Sequence, residues 1–301
     1  MSVLLLTVVI PTKNRSHFLP LTLQALEAQT GLDGPFEVII ADDGSTDGTP
    51  ALLEGVHGFR FAMRSIRLTP GGPGRARNRA IALAQAARIL LLGDDTPPRT
   101  DALARHIEAA AGRAIGVQGR IEWEPGAPIT PVMHFLAPEG PQFYFKGLRH
   151  GEPIPYTAYY ASNYSAPTRW FLEDPFDEEL PAAAFEDTEL AYRWTRKGRT
   201  TIYWENAVCV HRHHYERIET FLTRQRAAGL GARLAVRRHP GLAAKTILQP
   251  FAVGVLHGAR YGLRRLRGTA CDEDRWDLLC RAAFFKGLFK VKRSGSSAAT
   301  S

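Results

Sequence analysis

The chain has 301 residues, of which 45% are hydrophobic, 10% aromatic and 23% charged, and these proportions exclude an intrinsically disordered chain. Its cysteines, Cys209, Cys271 and Cys280, have no CxxC spacing, which argues against a disulfide-stapled module or a cysteine zinc site and favours a reducing compartment. At roughly 150 residues per domain, the length predicts about two domains, or one large α/β domain with an appendage.

The charge is divided unevenly along the chain. Residues 212–301 contain 18 Lys and Arg and 6 Asp and Glu, a net charge of +12, which leaves 20 basic and 24 acidic residues, a net charge of −4, for residues 1–211. The two parts are therefore expected to differ physically. The basic part could contact anionic lipid, an acidic polymer or nucleic acid, or could be a solvated helical surface.

The first predicted element lies in MSVLLLTVVIP. This run has no basic start and no cleavage site of small residues, so we expect a buried β-strand rather than a signal peptide. The most apolar later stretch, residues 247–256, is too short for a bilayer and contains Pro250. No transmembrane helix is expected.

Up to about residue 123, β-rich runs alternate with amphipathic helical segments. Strands are predicted in LLLTVVI, FEVIIA, residues 59–68 and RILLLGDD, and helices are predicted after Ser16 as N-cap, at residues 51–56 and up to about Ala87. Strands so uniformly apolar are covered by helices on both faces. The pattern therefore indicates a mostly parallel sheet in an α/β sandwich.

From Glu124 to about Pro181 the regularity stops, and prolines, glycines and aromatic residues predict an irregular, substrate-facing insertion. The segment AFEDTELAYRWTRKG then predicts a helix, and TTIYW and NAVCVHRHH predict β-structure. From Tyr215 onward the chain is expected to be largely helical and basic.

Polar residues directly follow three of the predicted strands. In open α/β sheets ligands bind beyond the carboxyl ends of the strands, so these residues are expected to share one cleft. Carboxylates gathered there repel one another unless a cation joins them. A divalent metal carrying a diphosphate is the candidate, because Mg2+ takes carboxylate and phosphate oxygens together. The residues are Thr12, Lys13, Asn14 and Arg15 after the first strand, Asp42 and Asp43 after the second, and Asp94 and Asp95 after the fourth.

Five motifs occur in a fixed order between residues 5 and 215, namely VVIPTKNR, VIIADDGSTDGT, GRARNRAI, ILLLGDDTPP and FEDTELAYRWTRKG. Each motif is weak alone, but all five in this order make a chance match unexpected. Together they resemble the family 2 glycosyltransferases, inverting enzymes of the GT-A fold that transfer a sugar from a nucleotide donor.

The resemblance implies a Rossmann-like α/β/α sandwich of the GT-A type with a mostly parallel central sheet, to which this chain adds a basic helical C-terminal extension. Residues 1–215 are predicted to be the catalytic domain, with a nucleotide-sugar-binding half at 1–123 and an acceptor-binding half at 124–215. Residues 216–293 are the predicted basic helical region, and residues 294–301 a disordered tail.

The resemblance also implies a set of donor-site residues. Asp42 is similar to the carboxylate that holds the uracil or ribose of the donor, and such an acceptor can bind a pyrimidine N–H. Asp43 is expected either to contact the donor or to stabilise the turn that follows the strand. Arg77 and Asn78 are similar to residues that line the donor site, or they belong to an ordinary loop and helix start. The loop expected to close over the base supplies Pro11, Thr12, Asn14 and Arg15.

The metal motif of the family is Asp-any-Asp at the end of the fourth strand, with its last carboxylate on the metal. This chain has Gly93 at the first position, so Asp95 is the predicted metal ligand. Asp94 is predicted to contact the ribose or to hydrogen-bond a metal ligand. The alternative role of these carboxylates is to cap a helix. In many members a histidine after a later strand is a further ligand, which points to His211, with His213 or plain surface histidines as alternatives. The expected metal is Mg2+ or Mn2+.

The pair Glu186 and Asp187 resembles the Glu-Asp pair at the start of the acceptor-side helix, where the aspartate is the general base. Successive helical residues point about 100° apart, so one of the two can aim at a given acceptor oxygen, and we assign the base to Asp187. The alternative is that both carboxylates merely favour the positive helix N-terminus. The predicted acceptor contacts are Asn163, Ser165, Trp170 and Glu186.

The predicted function is inverting transfer of a sugar from a nucleoside diphosphate donor, with a UDP-sugar expected, to the hydroxyl of a glycan or lipid-linked acceptor in cell-surface polysaccharide or glycoconjugate synthesis. One alternative is a non-catalytic nucleotide-sugar-binding protein, which Gly93 favours. The other is a metal-dependent nucleotidyltransferase, which would not require the Glu-Asp helix.

The C-terminal segment CDEDRWDLLCRAAFFKGLFKVKR begins with acidic and ends with basic residues, as the helix dipole favours. Its aromatic residues beside lysines predict contact with an anionic membrane surface, with packing against the catalytic domain as the alternative. Nucleic acid is not expected, because no recognition motif accompanies the charge. We therefore expect a cytoplasmic protein, peripheral on the inner face of the membrane.

Overall fold

The structure is a computed structural model that describes residues 3–180 and 184–290. The chain divides into two compact units, Met1–Arg217 and Ile218–Ser301. The predicted tail at 294–301 lies outside the described residues. The functional division of residues 1–215 into donor and acceptor halves stays a prediction.

The first unit is built around one sheet. Its strands are β1 (Thr7–Thr12), β2 (Glu37–Asp42), β3 (Ala62–Arg67), β4 (Arg88–Leu92), β5 (Gly116–Trp123), β6 (Asn163–Pro167) and β7 (Thr201–His211). In the part of the chain that the structure describes, they form a seven-stranded sheet of order β3-β2-β1-β4-β6-β5-β7. β6 runs antiparallel to β4 and β5, and the other pairs are parallel. The predicted mostly parallel sheet is confirmed.

Helices cover both faces of this sheet. They are α1 (Leu19–Glu27), α2 (Thr49–Gly55), α3 (Pro73–Ile81), α4 (Ala102–Ala110), α5 (Pro131–Leu136), α6 (Thr168–Glu173) and α7 (Glu186–Arg196). Alternate strand residues enter opposite cores: Val8 packs with Leu23 of α1, whereas Val9 packs in the core that holds Trp194 of α7. Since every residue of these central strands meets a core, the strands have the continuous apolar sequence that predicted the sandwich.

Two local features differ from the sequence-based prediction. Ser16 does not cap α1, which begins at Leu19; its backbone N–H and hydroxyl donate instead to Asp47 Oδ2, at 3.2 and 3.0 Å. The segment predicted to be irregular contains β6, which enters the sheet between β4 and β5. This strand has the sequence NYSAP and ends on a proline, so it lacks the length and alternation that identify a strand.

The second unit is helical, as predicted, with α8 (Ile218–Arg238), α9 (Gln249–Leu266) and α10 (Asp272–Leu288). Helices α8 and α10 cross at backbone distance. A Cβ atom on Gly229 would overlap the carbonyl of Phe284, and one on Gly287 would overlap the carbonyl of Arg226. Glycine is thus required at both positions. Within the described residues, no helix combines the length and the apolar character needed to cross a bilayer.

The aromatic segment predicted to touch lipid lies mostly inside this unit. On α10, Phe284 and Phe285 are half-buried and Leu288 is buried; the close contact with α8 runs along the same part of the helix. Phe289, which follows α10, is exposed. Residues 291–293, the end of the predicted segment, lie outside the described residues.

Candidate active site

The loops after β1 and β2 are bonded to each other at the carboxyl edge of the sheet. Asn14 has a φ of 55°, a left-handed conformation that asparagine tolerates better than most residues. Its backbone N–H donates to Ser45 Oγ at 2.9 Å, and its Oδ1 accepts the Thr46 N–H at 2.8 Å. The Asn14 side chain therefore fixes the loop that was predicted to close over a base, rather than pointing freely into the cleft.

The loop after β1 also reaches the end of β4. Thr12 Oγ1 donates to Asp94 Oδ2 at 2.8 Å, and Arg15 Nε lies 3.6 Å from Asp94 Oδ1. Burial and the neighbouring Asp95 carboxylate raise the pKa of Asp94 to about 7, against the opposing effects of its cationic and hydroxyl neighbours. The structure thus brings together predicted residues from two strands, around a pair of carboxylates that a bound cation would stabilise.

Asp42, at the end of β2, has one oxygen in use and one without a partner. Its Oδ1 accepts the Ser45 N–H at 2.8 Å. Its Oδ2 is buried and has no hydrogen-bond partner among the described residues, and the nearest cation, Arg67 Nε, lies 3.9 Å away. Leaving such an acceptor unpaired costs about 1–3 kcal/mol. A ligand that donates an N–H or O–H would recover this free energy.

Asp43 has a different role from its neighbour. Its Oδ1 and Oδ2 accept the backbone N–H groups of Gly71 and Gly72, at 2.7 and 3.0 Å, and Lys13 Nζ lies 3.5 Å from Oδ2. Gly72 has a φ of 89°, which glycine adopts at little cost. Asp43 therefore holds the loop before α3, and its contact with the donor stays a prediction.

Arg77 and Asn78 join α3 to the chain that leads into α7. Arg77 Nη1 donates to Glu186 Oε1 at 2.8 Å, and both side chains are buried. Asn78 donates to the carbonyl of Phe176 at 2.9 Å and accepts its N–H at 3.0 Å. The amide of Asn78 also donates to Glu178 Oε1 at 3.0 Å, so it links α3 to the segment before α7. Arg77 is close enough to Asp94 to oppose the rise of its pKa, so it remains at the edge of the cleft.

His211 ends β7 beside Asp95. Its Nε2 lies 3.9 Å from Asp95 Oδ2. Backbone bonds fix this proximity, because Arg212 N–H donates to the Asp95 carbonyl at 3.0 Å and Val210 N–H to that of Pro97 at 2.9 Å. The two side chains predicted to be ligands therefore lie next to each other.

The described residues contain no group of three or more His, Cys, Asp or Glu that could hold a metal ion. One carboxylate and one imidazole fit a Mg2+ or Mn2+ ion that takes its remaining ligands from diphosphate oxygens and water. The donor set is thus compatible with a metal that binds together with its substrate.

A steric contact explains why glycine occupies the first position of the metal motif. A Cβ atom at Gly93 would lie 2.7 Å from Thr96 Oγ1. That hydroxyl accepts the Gly93 N–H at 2.9 Å and donates to the Ser162 carbonyl at 2.9 Å. Sequence reasoning did not single out Thr96, although its position directly after the two aspartates could have suggested a role in this turn.

The first two residues of α7 have separate environments. Besides Arg77, Glu186 binds the N–H groups of Ala184 and Phe185 through Oε2, at 2.9 and 3.1 Å. It is buried and fully engaged, so it organises the start of α7 rather than contacting an acceptor directly. Asp187 is half-buried. Burial raises the pKa of Tyr160, with a smaller contribution from the charge of Asp187, which places the two side chains near each other.

The remaining predicted acceptor contacts are buried. His106 Nε2 lies 2.8 Å from Asn163 Oδ1, and its Nδ1 lies 3.0 Å from Ser165 Oγ. Burial lowers the pKa of His106 to about 4, so this imidazole is neutral near pH 7. Trp170 packs against Trp194 at a ring distance of 5.4 Å. These side chains hold the sheet and its helices together and do not reach solvent where an acceptor would bind.

Comparison with known proteins agrees with this architecture. The chain matches the family described as Glycosyl transferase family 2 over residues 7–164. It is 29% identical over 222 residues to validoxylamine A glucosyltransferase of Streptomyces hygroscopicus subsp. limoneus, covering 64% of this chain and 48% of that protein. It is 36% identical over 113 residues to the succinoglycan biosynthesis protein ExoO of Rhizobium meliloti (strain 1021), covering 37% of this chain and 32% of that protein. The chain matches less than half the length of these relatives.

Two solved structures have the same fold. The mannosyltransferase PcManGT from Pyrobaculum calidifontis, in complex with GDP-Man and Mn2+, aligns with a TM-score of 0.68 over 96% of this chain and 88% of that one, at 18% identity. The S. aureus TarS fragment 1–349 in complex with UDP-GlcNAc aligns with a TM-score of 0.53 over 93% and 90%, also at 18% identity. The family match spans more than half of the chain, and the chain therefore belongs to glycosyl transferase family 2.

Proposed function

We propose that this glycosyltransferase moves a sugar from a nucleoside diphosphate donor to an acceptor hydroxyl with inversion at the anomeric carbon. The observation that carries the proposal is the buried Oδ2 of Asp42, which has no hydrogen-bond partner among the described residues and lies 3.9 Å from the exposed Arg67. It lies at the end of β2, the strand next to β1, whose following loop contacts Asp94. A base N–H is the natural partner for this oxygen, because a carboxylate at neutral pH only accepts hydrogen bonds.

The donor base is expected to be uracil, and guanine is the nearest competitor. Both bases carry a ring N–H that a carboxylate can accept. The solved relatives support both choices, since TarS is described with UDP-GlcNAc and PcManGT with GDP-Man. The donor panel must therefore contain both nucleotides.

Asp95 and His211 are the residues that would hold the metal. A divalent ion held there would supply positive charge to offset the negative charge of the leaving diphosphate. The Mn2+ in the PcManGT complex supports Mn2+ as well as Mg2+ for the assay. Arg15 adds a positive charge on the same side, since its guanidinium lies 3.6 Å from the neighbouring Asp94.

Asp187 is the proposed general base. Its carboxylate would remove the proton of the acceptor hydroxyl during attack, a role that contributes about 10²–10⁴ in rate. Glu186 and Arg77 hold the start of α7 in place through their 2.8 Å ion pair. We infer a glycan or lipid-linked acceptor in polysaccharide synthesis, which the succinoglycan relative supports.

The test is release of nucleoside diphosphate from UDP- and GDP-sugars with Mn2+, Mg2+ or a chelator, with calorimetry of donor binding on the same samples. Asp187→Asn is expected to keep donor affinity and lose turnover by at least about a hundredfold. Asp95→Ala is expected to lose metal-dependent donor binding. Glu108→Gln, a change at the exposed Arg105–Glu108 ion pair of the same unit, is the control and should behave as the parent.

Metal-dependent donor binding without turnover in the parent would direct the search to the acceptor and keep the assignment of this cleft. Absence of nucleotide binding across the panel would overturn it. Release of pyrophosphate in place of nucleoside diphosphate would identify a nucleotidyltransferase instead.

A further inference from the structure

The second unit exposes an apolar stripe along one side of α9. None of the residues of α9, all of which the structure describes, is buried. The large apolar side chains are 49% to 87% exposed. They recur at helical spacings, so they line one side of the helix. The α9 stripe consists of Leu248, Phe251, Val255, Leu256, Leu263 and Leu266.

The opposite side of α9 is held on α10 by polar contacts. His257 Nδ1 lies 2.7 Å from Asp277 Oδ2, Arg264 Nη1 donates to Asp274 Oδ2 at 2.6 Å, and Arg281 Nη1 donates to the Pro250 carbonyl at 3.2 Å. The α9 residues in these contacts are seven apart, which places them on a single side of the helix. This attachment lies on the side of α9 opposite the stripe, and of the stripe residues Phe251 also touches α10, through the Phe285 ring at 5.7 Å, while remaining 56% exposed.

Positive charge surrounds the α9 stripe. Residues 220–271 contain ten Lys and Arg and no Asp or Glu. Arg260, Arg265, Arg267 and Lys245 are exposed beside the stripe. An amphipathic helix with an apolar side, a basic polar side and no acidic residue is the pattern of a helix that lies in the lipid headgroup region.

We propose that α9 docks the protein on the surface of a membrane containing anionic lipid, with the α9 stripe inserted between headgroups. Arginines at its borders contact lipid phosphates, which attract basic residues within about one Debye length. A second copy of the chain is a poorer occupant, because a symmetric contact would bring two arginine-rich borders together with no acidic residue between them. This proposal goes beyond sugar transfer and does not depend on it.

The experiment is sedimentation of the full chain with vesicles of phosphatidylcholine, alone or mixed with phosphatidylglycerol. The parent is expected to pellet with the anionic vesicles, less so at high salt. Leu256→Glu with Leu266→Glu is expected to lower partitioning at least about a hundredfold, because both apolar insertions are lost. Arg260→Gln with Arg265→Gln should lower it about fivefold per arginine.

The matched control makes the same chemical change elsewhere. Leu83→Glu with Leu172→Glu replaces two exposed leucines of the first unit and should pellet as the parent does. Equal pelleting of the stripe variant and the parent would overturn the proposal, as would failure of the parent to bind anionic vesicles at low salt.

Two further measurements separate other occupants of the α9 stripe. A drop in the melting temperature of the stripe variant, relative to the matched control, would mean that folded chain covers the stripe and would overturn the proposal. Concentration-dependent self-association of the parent in analytical ultracentrifugation, abolished in the stripe variant without any vesicle binding, would assign the stripe to a second copy instead.

Discussion

The two ends of β2 carry buried carboxylates with opposite local environments. At the start, Glu37 Oε1 accepts from Thr7 Oγ1 at 2.6 Å and from the Gln85 N–H at 2.7 Å, while Oε2 accepts from Arg64 at 2.6 Å. At the other end, Asp42 keeps one buried oxygen without a partner. A carboxylate whose hydrogen bonds are complete stabilises the fold, whereas one with an unused buried oxygen is suited to bind a ligand.

Glu186 resembles Glu37 in that the hydrogen bonds of its carboxylate are complete, although Glu186 lies at the edge of the cleft. Glu186→Gln is expected to lower the free energy of unfolding by about 3–5 kcal/mol, because the buried Arg77 loses its charged partner. Urea unfolding measures this loss. In Glu108→Gln, where the pair with Arg105 is exposed, the loss should stay below about 1 kcal/mol. Similar losses in both variants would contradict the structural role of Glu186.

Asp42→Asn is expected to weaken donor binding by about 10- to 100-fold while leaving the unfolding free energy unchanged or raised. The amide keeps an acceptor for the Ser45 N–H but places N–H groups where the ligand donates. Calorimetric titration with nucleoside diphosphate and urea unfolding give the two values. A variant that is destabilised but binds normally would reverse the proposed roles of the two ends of β2.

Glu37→Gln is expected to do the opposite, lowering the unfolding free energy by about 1–3 kcal/mol at pH 7 without changing donor affinity in the folded protein. The variant loses the charge-assisted bond with Arg64. In addition, the NH₂ group of the new amide faces at least one of the groups that donate to Glu37 in the parent. A change in donor affinity larger than about threefold, measured on the folded variant, would argue against this separation.

The smallest expected effect is the pH dependence of the difference in unfolding free energy between the parent and Glu37→Gln. Burial raises the pKa of Glu37, but its hydrogen bonds and the charge of Arg64 outweigh this effect, so the net shift is downward. A lowered folded-state pKa gives stability that is present above the unfolded value of about 4.3 and is lost as pH falls through the folded value. The gap between the parent and Glu37→Gln should therefore be constant above about pH 5 and shrink below it. A gap that widens in acid would contradict this sign.

The sequence predicted the sandwich and the end of each central strand because their patterns are local. Asp42, Asp94 and Asp95 follow apolar runs, so the topology alone brings them to one edge. Contacts between residues that are far apart in the sequence produce no local pattern from which they could be predicted. Arg77 and Glu186 are 109 positions apart, and each fits a ligand contact as well as an ion pair.

The sequence pattern was equally unable to predict which polar side chains point away from the cleft. Asn163 and Ser165 look like polar substrate contacts in a polar, aromatic segment, but they lie on β6, whose brevity conceals that it is a strand. In the second unit, the aromatic and basic composition of α10 predicted a lipid contact there, whereas most of the exposed large apolar side chains lie on α9. Composition does not reveal which helix face packs, since that depends on the glycine contacts of α8 with α10.

The contact between Gly93 and Thr96 constrains the order in which substitutions can accumulate. An aspartate at position 93 would place its Cβ 2.7 Å from the Thr96 hydroxyl, so Gly93→Asp is unfavourable while that threonine remains. Thr96→Ala alone removes one partner of the Gly93 N–H and one of the Ser162 carbonyl, and leaves the 3.3 Å bond between these two groups. The second change removes the steric contact that opposes the first. The two positions are therefore expected to vary together, so that one hydroxyl group determines which metal motifs this chain can reach by single mutations.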